Sequence, residues 1–230
     1  MIRASVIGLA VYASSIGVAI AGWDSCGSLK NHYGPYDYRT ERTGKLRIVE
    51  QFHFTPEVEA LIRGHSGYLG EDLDYTLRTS PNHHRALLAL SRFGERTKSP
   101  QPPHLQWSID CYFERATRFE PDDIVVHLLF AQYLGKTGRV QEATQRLGRA
   151  EELAKDDPLA HYNIGLIYFE LKEYDRALVE AHRAIRLGYL RAELPDMLRS
   201  VGKWREPASD TAATASGAAS APASAASSTP

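Results

Sequence analysis

Sliding the chain against itself finds one offset that constrains the fold more than any other property. At 34 residues, Leu128-Leu129-Phe130-Ala131 falls on Tyr162-Asn163-Ile164-Gly165, Ala143 falls on Ala177 and Ala150 on Ala184. The matched positions are small or apolar and keep their order. Two helices that cross closely need a small residue at the crossing and larger apolar residues on either side. Recurrence of such residues in order therefore predicts stacked helical hairpins.

The later unit, Ala160 to Leu187, resembles the tetratricopeptide repeat. Asn163-Ile164-Gly165 with Tyr168 matches the core of the family's first helix, Glu173-Tyr174-Asp175 the turn between helices, and Ala177, Ala181 and Ala184 the small positions of the second helix. The preceding unit, Val125 to Leu153, keeps Ala131, Leu134, Gly138, Ala143, Leu147 and Ala150, and Asp156-Asp157-Pro158 marks the break after it. Further upstream, Ala86, Leu90 and Ser91 match a first helix, and Ile109, Phe113, Ala116 and Pro121 match a second helix with its closing proline. An insertion from Thr97 to His104 separates them, and Pro100, Pro102 and Pro103 within it rule out continuous helix. A weaker unit ends at Pro81 and opens on Thr55-Pro56-Glu57, read as cap, first-turn proline and acidic first turn, with Gly64, Gly67 and Gly70 shortening its hairpin.

The resemblance implies an all-α fold, a short solenoid of tetratricopeptide-like hairpins over 55–204. Its units fall at about 55–81, 82–121, 122–157 and 158–190, with a C-terminal capping helix at 192–204. Residues 22–54 match no repeat and read as a small irregular segment. Within it Lys45-Leu46-Arg47-Ile48-Val49 reads as a short strand, and Tyr33, Tyr36 and Tyr38 crowd a Gly-Pro turn.

Residues 1–21 read as a secretory signal. A basic Arg3 precedes a long uncharged stretch, and Ala19-Ile20-Ala21 offers small residues for a cut before Gly22. A periplasmic or secreted bacterial protein is the expectation, with an uncleaved anchor over 4–23 as the alternative. Residues 205–230 abandon branched apolar side chains for Ala, Ser, Thr and Pro, the composition of a disordered tail. Cys26 and Cys111 make an even count for an oxidising compartment. One disulfide fits this count, and so do two thiols, with Cys111 packed as a small hydrophobe.

A net charge of -1 argues against a partner recognised by its field, nucleic acid above all. The adjacent His83 and His84 diverge on a helix, and His127 and His161 fall on equivalent packing positions, so no metal and no cofactor is assigned. No nucleophile motif or phosphate loop occurs, and an enzyme is not expected. The resemblance implies instead a protein or peptide partner held along the first helices, by Arg85, Leu88, Arg92 and Arg96 in one unit, Leu128, Gln132 and Lys136 in the next, and Tyr162, Leu166, Phe169 and Glu170 in the last. This series runs from basic to apolar and aromatic, which suits a partner segment with an acidic and a hydrophobic part. Tyr162 and Phe169 are expected to anchor that partner. A glycan-binding surface built from Trp23, Tyr33, Tyr36 and Tyr38 is the alternative, because aromatic faces stack on sugars.

Overall fold

The computed structural model describes residues 26–207, so the signal read over 1–21, Trp23 and nearly all of the tail read over 205–230 lie outside the described residues. Among the described residues there are eleven helices and no strand, as an all-α fold requires. In chain order they are α1 (Tyr38–Glu41), α2 (Leu46–His53), α3 (Pro56–Glu59), α4 (Leu69–Thr79), α5 (His84–Thr97), α6 (Ile109–Phe119), α7 (Ile124–Lys136), α8 (Val140–Ala154), α9 (Pro158–Glu170), α10 (Tyr174–Arg186) and α11 (Glu193–Ser200). They form two compact units, one ending at Phe119 and the other beginning at Glu120.

In the second unit the 34-residue offset extends to single hydrogen bonds. Asp123 and Asp157 each cap a helix and accept from two backbone N–H groups, those of Val125 and Val126 at 3.1 and 3.4 Å and those of Leu159 and Ala160 at 2.9 and 3.2 Å. The turns that follow α7 and α9 also match. Arg139 N–H donates to the Leu134 carbonyl and Glu173 N–H to that of Tyr168, both at 2.9 Å. The residue before each donor is left-handed, Gly138 at φ 79° in one turn and Lys172 at φ 64° in the other. Glycine meets that requirement without a Cβ conflict, whereas the lysine bears a local cost.

Helix α9 packs on α10, and α11 packs on both. A Cβ at Gly165 would lie 2.6 Å from Leu194 Cδ2 and 3.4 Å from the Ala177 carbonyl oxygen, while Ala177, Ala181 and Ala184 are all buried. The small residues therefore stand where the helices approach, for the steric reason that predicts them.

His161 is fully buried, with Nε2 2.8 Å from the Lys155 carbonyl and Nδ1 2.6 Å from Glu180. Nε2 donates to the carbonyl, and Nδ1 shares its hydrogen bond with the Glu180 carboxyl group. Burial raises the Glu180 pKa, and the opposing contact with His161 does not cancel it. Since the folded value is the higher one, this group's stabilising contribution is complete below its unfolded value near 4.5 and fades as pH rises through the folded value. Glu180→Gln keeps a hydrogen-bonding partner for Nδ1 but does not titrate, and is expected to flatten that slope in urea midpoints measured across pH. Glu180→Ala strands Nδ1 and is expected to cost about 1–3 kcal/mol. Equal slopes for wild type and Glu180→Gln would show that Glu180 does not titrate there. One repeat earlier, His127 Nε2 meets the Pro121 carbonyl at 3.0 Å, but Arg146 stands where Glu180 stands and His127 Nδ1 has no hydrogen bond.

The first unit departs from the expected pattern at its N-terminal side. The segment read as a strand over Lys45–Val49 is helical from Leu46 onward, as the start of α2, with Lys45 as the residue that precedes it. Leu46 and Val49, three apart, are buried, while Ile48, the period-two partner of Leu46, is 54% exposed, so helical spacing decides the burial. The segment over 22–54 is thus not irregular throughout. Tyr38 joins Leu46 and Val49 in a core cluster that Tyr33, Tyr36 and Tyr75 flank. The expected hairpin over 55–81 has only a short leading helix, since α3 is a single turn that ends before Leu61 at φ 58°, and α4 packs against α2 as well as α3.

The insertion between α5 and α6 folds back onto the start of α4. His104 stacks on Tyr68 at 3.9 Å, and a Cβ at Gly70 would collide with the Pro103 carbonyl. The junction before α5 nevertheless follows the pattern of the second unit. His83 N–H donates to the Ser80 carbonyl at 3.0 Å, as Asp123 does to Glu120 at 3.1 Å and Asp157 to Ala154 at 2.8 Å. His83 Nδ1 takes the place of the aspartate as cap, accepting from Ala86 N–H at 3.2 Å.

Candidate functional site

Helices α7 and α9 lie side by side in the second unit, and the predicted binding residues on them fall at steps of four, with Phe169 three residues after Leu166. Their exposure grades along the helices. Leu128 and Tyr162 are buried, Gln132, Leu166 and Phe169 are half-buried, and Lys136 and Glu170 are exposed. Tyr162 therefore differs from its expected role as an open anchor. Its ring packs on Tyr189 with centroids 4.9 Å apart and its hydroxyl donates to Glu193 at 3.2 Å, because the chain leading into α11 returns over α9. Leu128 is likewise core. Phe169 touches Tyr174 at 5.2 Å and keeps part of its surface. The open part of this face is Gln132, Lys136, Leu166, Phe169 and Glu170.

The basic residues expected at the start of the array belong to the first unit and are mostly engaged there. Arg85 forms a forked pair with Glu59, Nε to Oε1 at 2.8 Å and Nη2 to Oε2, and sits over the Phe54 ring. The pairing pushes the Arg85 pKa up and the Glu59 pKa down. Arg96 donates to the Leu61 carbonyl. Arg92 is exposed and Leu88 half-buried. A row of three open cations for an acidic partner is thus reduced to one. The cause is α3 and the turn after it, which supply a carboxylate and a carbonyl that the sequence pattern did not place there.

Of the tyrosines considered as a glycan platform, Tyr38 is buried, and Tyr33 and Tyr36 are half-buried. Tyr38 is 4% exposed and packs on His83, Tyr33 and Tyr36 meet edge to face at 5.0 Å, and Lys45 lies over Tyr36. Trp23 lies outside the described residues.

Cys26 and Cys111 are joined in a disulfide, which ties the first described residues to α6. Beside it lies a group that the sequence reading passed over. Arg115 is 2% exposed, and its Nη1 donates to the carbonyls of Cys26 at 2.9 Å and Ser28 at 2.8 Å, with that of Gly27 at 3.4 Å. Its guanidinium lies 4.1 Å from the centre of the Trp107 ring. Burial lowers its pKa, as expected of a cation taken from water. The signal was present in the sequence, since Arg115 interrupts the apolar stripe of Ile109, Tyr112, Phe113 and Ala116 on one helix face. Nearby, Asp74 accepts from Tyr112 Oη at 2.5 Å and from Arg78 Nε at 2.8 Å.

Among the described residues no helix is long and apolar enough to cross a membrane, and no group of three or more His, Cys, Asp or Glu is placed to hold a metal. No family model matches the chain, and neither the curated proteins nor the solved structures contain a match.

Proposed function

We propose that this chain is a non-enzymatic, tetratricopeptide-like module that binds a protein or peptide in the bacterial cell envelope, as a scaffold or assembly factor. The observation that carries the reading is the repetition in the second unit, where caps, turn hydrogen bonds and left-handed residues recur at 34 residues. Repetition at that level is the mark of arrays whose neighbouring first helices present a shared face. The Cys26–Cys111 bond supports an oxidising compartment, and with it the exported reading.

The binding face is the open part of α7 and α9. Leu166 and Phe169 supply apolar area, and Gln132, Lys136 and Glu170 supply polar contacts around it. A photo-crosslinking amino acid placed at Gln132 or Leu166 in the native host is expected to trap one discrete partner, whereas the same probe at exposed Val179 on α10 traps none. Leu166→Ala is expected to weaken capture of that partner about tenfold while leaving most of the stability. Equal capture from Gln132, Leu166 and Val179 would remove the proposed face.

A further inference from the structure

A cleft of about 370 Å³ opens in the first unit beside the disulfide, lined by Lys30, Asn31, Arg78, Gln106, Trp107 and Arg115 together with the Gly27–Ser28 backbone. Its size lies within the range of small-molecule sites, about 300–1,000 Å³. Three cations face it, and no carboxylate lines it. Asp74 pairs with Arg78, while Lys30 and Arg115 have no ion pair among the described residues.

The buried arginine is the decisive group. A guanidinium has five N–H donors and, when taken from water, normally finds a carboxylate or a full set of acceptors. Arg115 is 98% withdrawn from solvent by its 2% exposure, yet only Nη1 is satisfied, by the carbonyls of Cys26, Gly27 and Ser28. Nε is buried with no acceptor, and Nη2 makes no hydrogen bond among the described residues. The site is held rigidly: the disulfide fixes Cys26 to α6, Trp107 packs against the guanidinium, and a Cβ at Gly27 would lie 3.0 Å from the indole. An under-satisfied cation in a preformed cleft is poised for an oxyanion.

We propose that this cleft binds a small hydroxylated carboxylate, a sugar acid of the hexuronate kind. The carboxylate meets the remaining donor of Arg115, Nη2, and the Lys30 ammonium, where two cations outside any ion pair offset its charge. The Gln106 side-chain amide and the guanidinium of Arg78 stand around the remaining volume, beside Asn31, whose Nδ2 donates to the Tyr33 carbonyl at 3.0 Å and whose Oδ1 accepts from Arg78 Nη1 at 3.5 Å. The Gln106 amide can both donate to and accept from hydroxyl groups. Phosphate would use the cations but leave the Gln106 amide and most of the volume unfilled. The site lies within the first unit and is independent of the peptide-binding reading, which concerns α7 and α9.

The test is calorimetric titration of the oxidised full chain with sodium glucuronate, inorganic phosphate and neutral glucose at constant ionic strength. Glucuronate is expected to bind saturably, with glucose and phosphate at least tenfold weaker. Lys30→Glu, at an exposed position, is expected to leave the melting temperature unchanged and weaken glucuronate at least tenfold. Gln106→Ala is expected to weaken it several-fold with glucuronate remaining the preferred ligand. Arg115→Lys keeps the charge but loses the planar guanidinium, whose Nη1 holds the Cys26 and Ser28 carbonyls while Nη2 is left for the ligand, and is expected to abolish binding where the variant folds. Absence of saturable glucuronate binding, equal affinity in Lys30→Glu, or binding of phosphate alone would each overturn the proposal.

Discussion

Replacing Cys26 and Cys111 together by serine is expected to lower the stability of the first unit by about 4 kcal/mol. The bond closes a sequence separation of 85 residues, and in the chain-entropy account that constraint acts mainly on the unfolded chain. The folded contacts around it survive the change. Arg115 still has the carbonyls of residues 26, 27 and 28 to bind, and Arg118 Nη2 still reaches the Gly27 carbonyl at 2.6 Å. The expected signature in urea unfolding followed by circular dichroism is therefore a lower midpoint with near-native helix content in water. Wild type treated with reductant should move to the midpoint of the double variant. An unchanged midpoint would mean that the segment from Cys26 onward adds no constraint to the unfolded chain.

Tyr162→Ala is expected to cost about 3 kcal/mol, the range found when a buried aromatic is truncated in a core. The residue is 5% exposed, its ring packs on Tyr189, and its hydroxyl reaches Glu193. Truncation opens a void beneath the approach to α11 and removes the contact that holds this approach on α9. Leu166→Ala, one turn along the same helix but half-buried, should cost clearly less. Urea midpoints of the two variants check the ordering. A second readout is the phenol itself: burial first, then the Glu193 carboxylate, raise the Tyr162 pKa above its ordinary value near 10, so its absorbance titration should be displaced upward relative to Tyr162→Phe. A small loss of stability together with an unshifted titration would show an open ring.

The two predictions differ in what the sequence reveals about each. The residues that form the hairpins of the second unit are legible because local and tertiary requirements coincide there. Asp123 and Asp157 cap helices in any context that starts a helix at that point, and Gly165 facing Ala177 satisfies both chain pattern and close packing. The candidate face is only half legible. Tyr162 occupies a position that the repeat pattern assigns to an open surface, and nothing in α9 itself records that the later segment at Tyr189 and Glu193 will cover it.

In the first unit the divergence is wider. Lys45–Val49 satisfies a short alternating pattern and a helical one equally well, and the choice falls to which side chains the neighbouring helices can bury. Arg85 and Arg96 look like an open basic face until α3 and the Leu61 carbonyl are in place. Arg115 is the extreme case, since its partners are backbone carbonyls 87 to 89 residues away in the chain.

The sequence by itself determined the helical class, the 34-residue offset and the break at Asp156-Asp157-Pro158 in the second unit, because these depend on side-chain size and hydrogen bonding within a few residues. Only the tertiary structure decided which apolar residues are covered, which cations are already paired, and that a buried arginine faces a cleft. Each of these depends on groups from distant segments competing for the same surface, and spacing along a single helix carries no record of that competition.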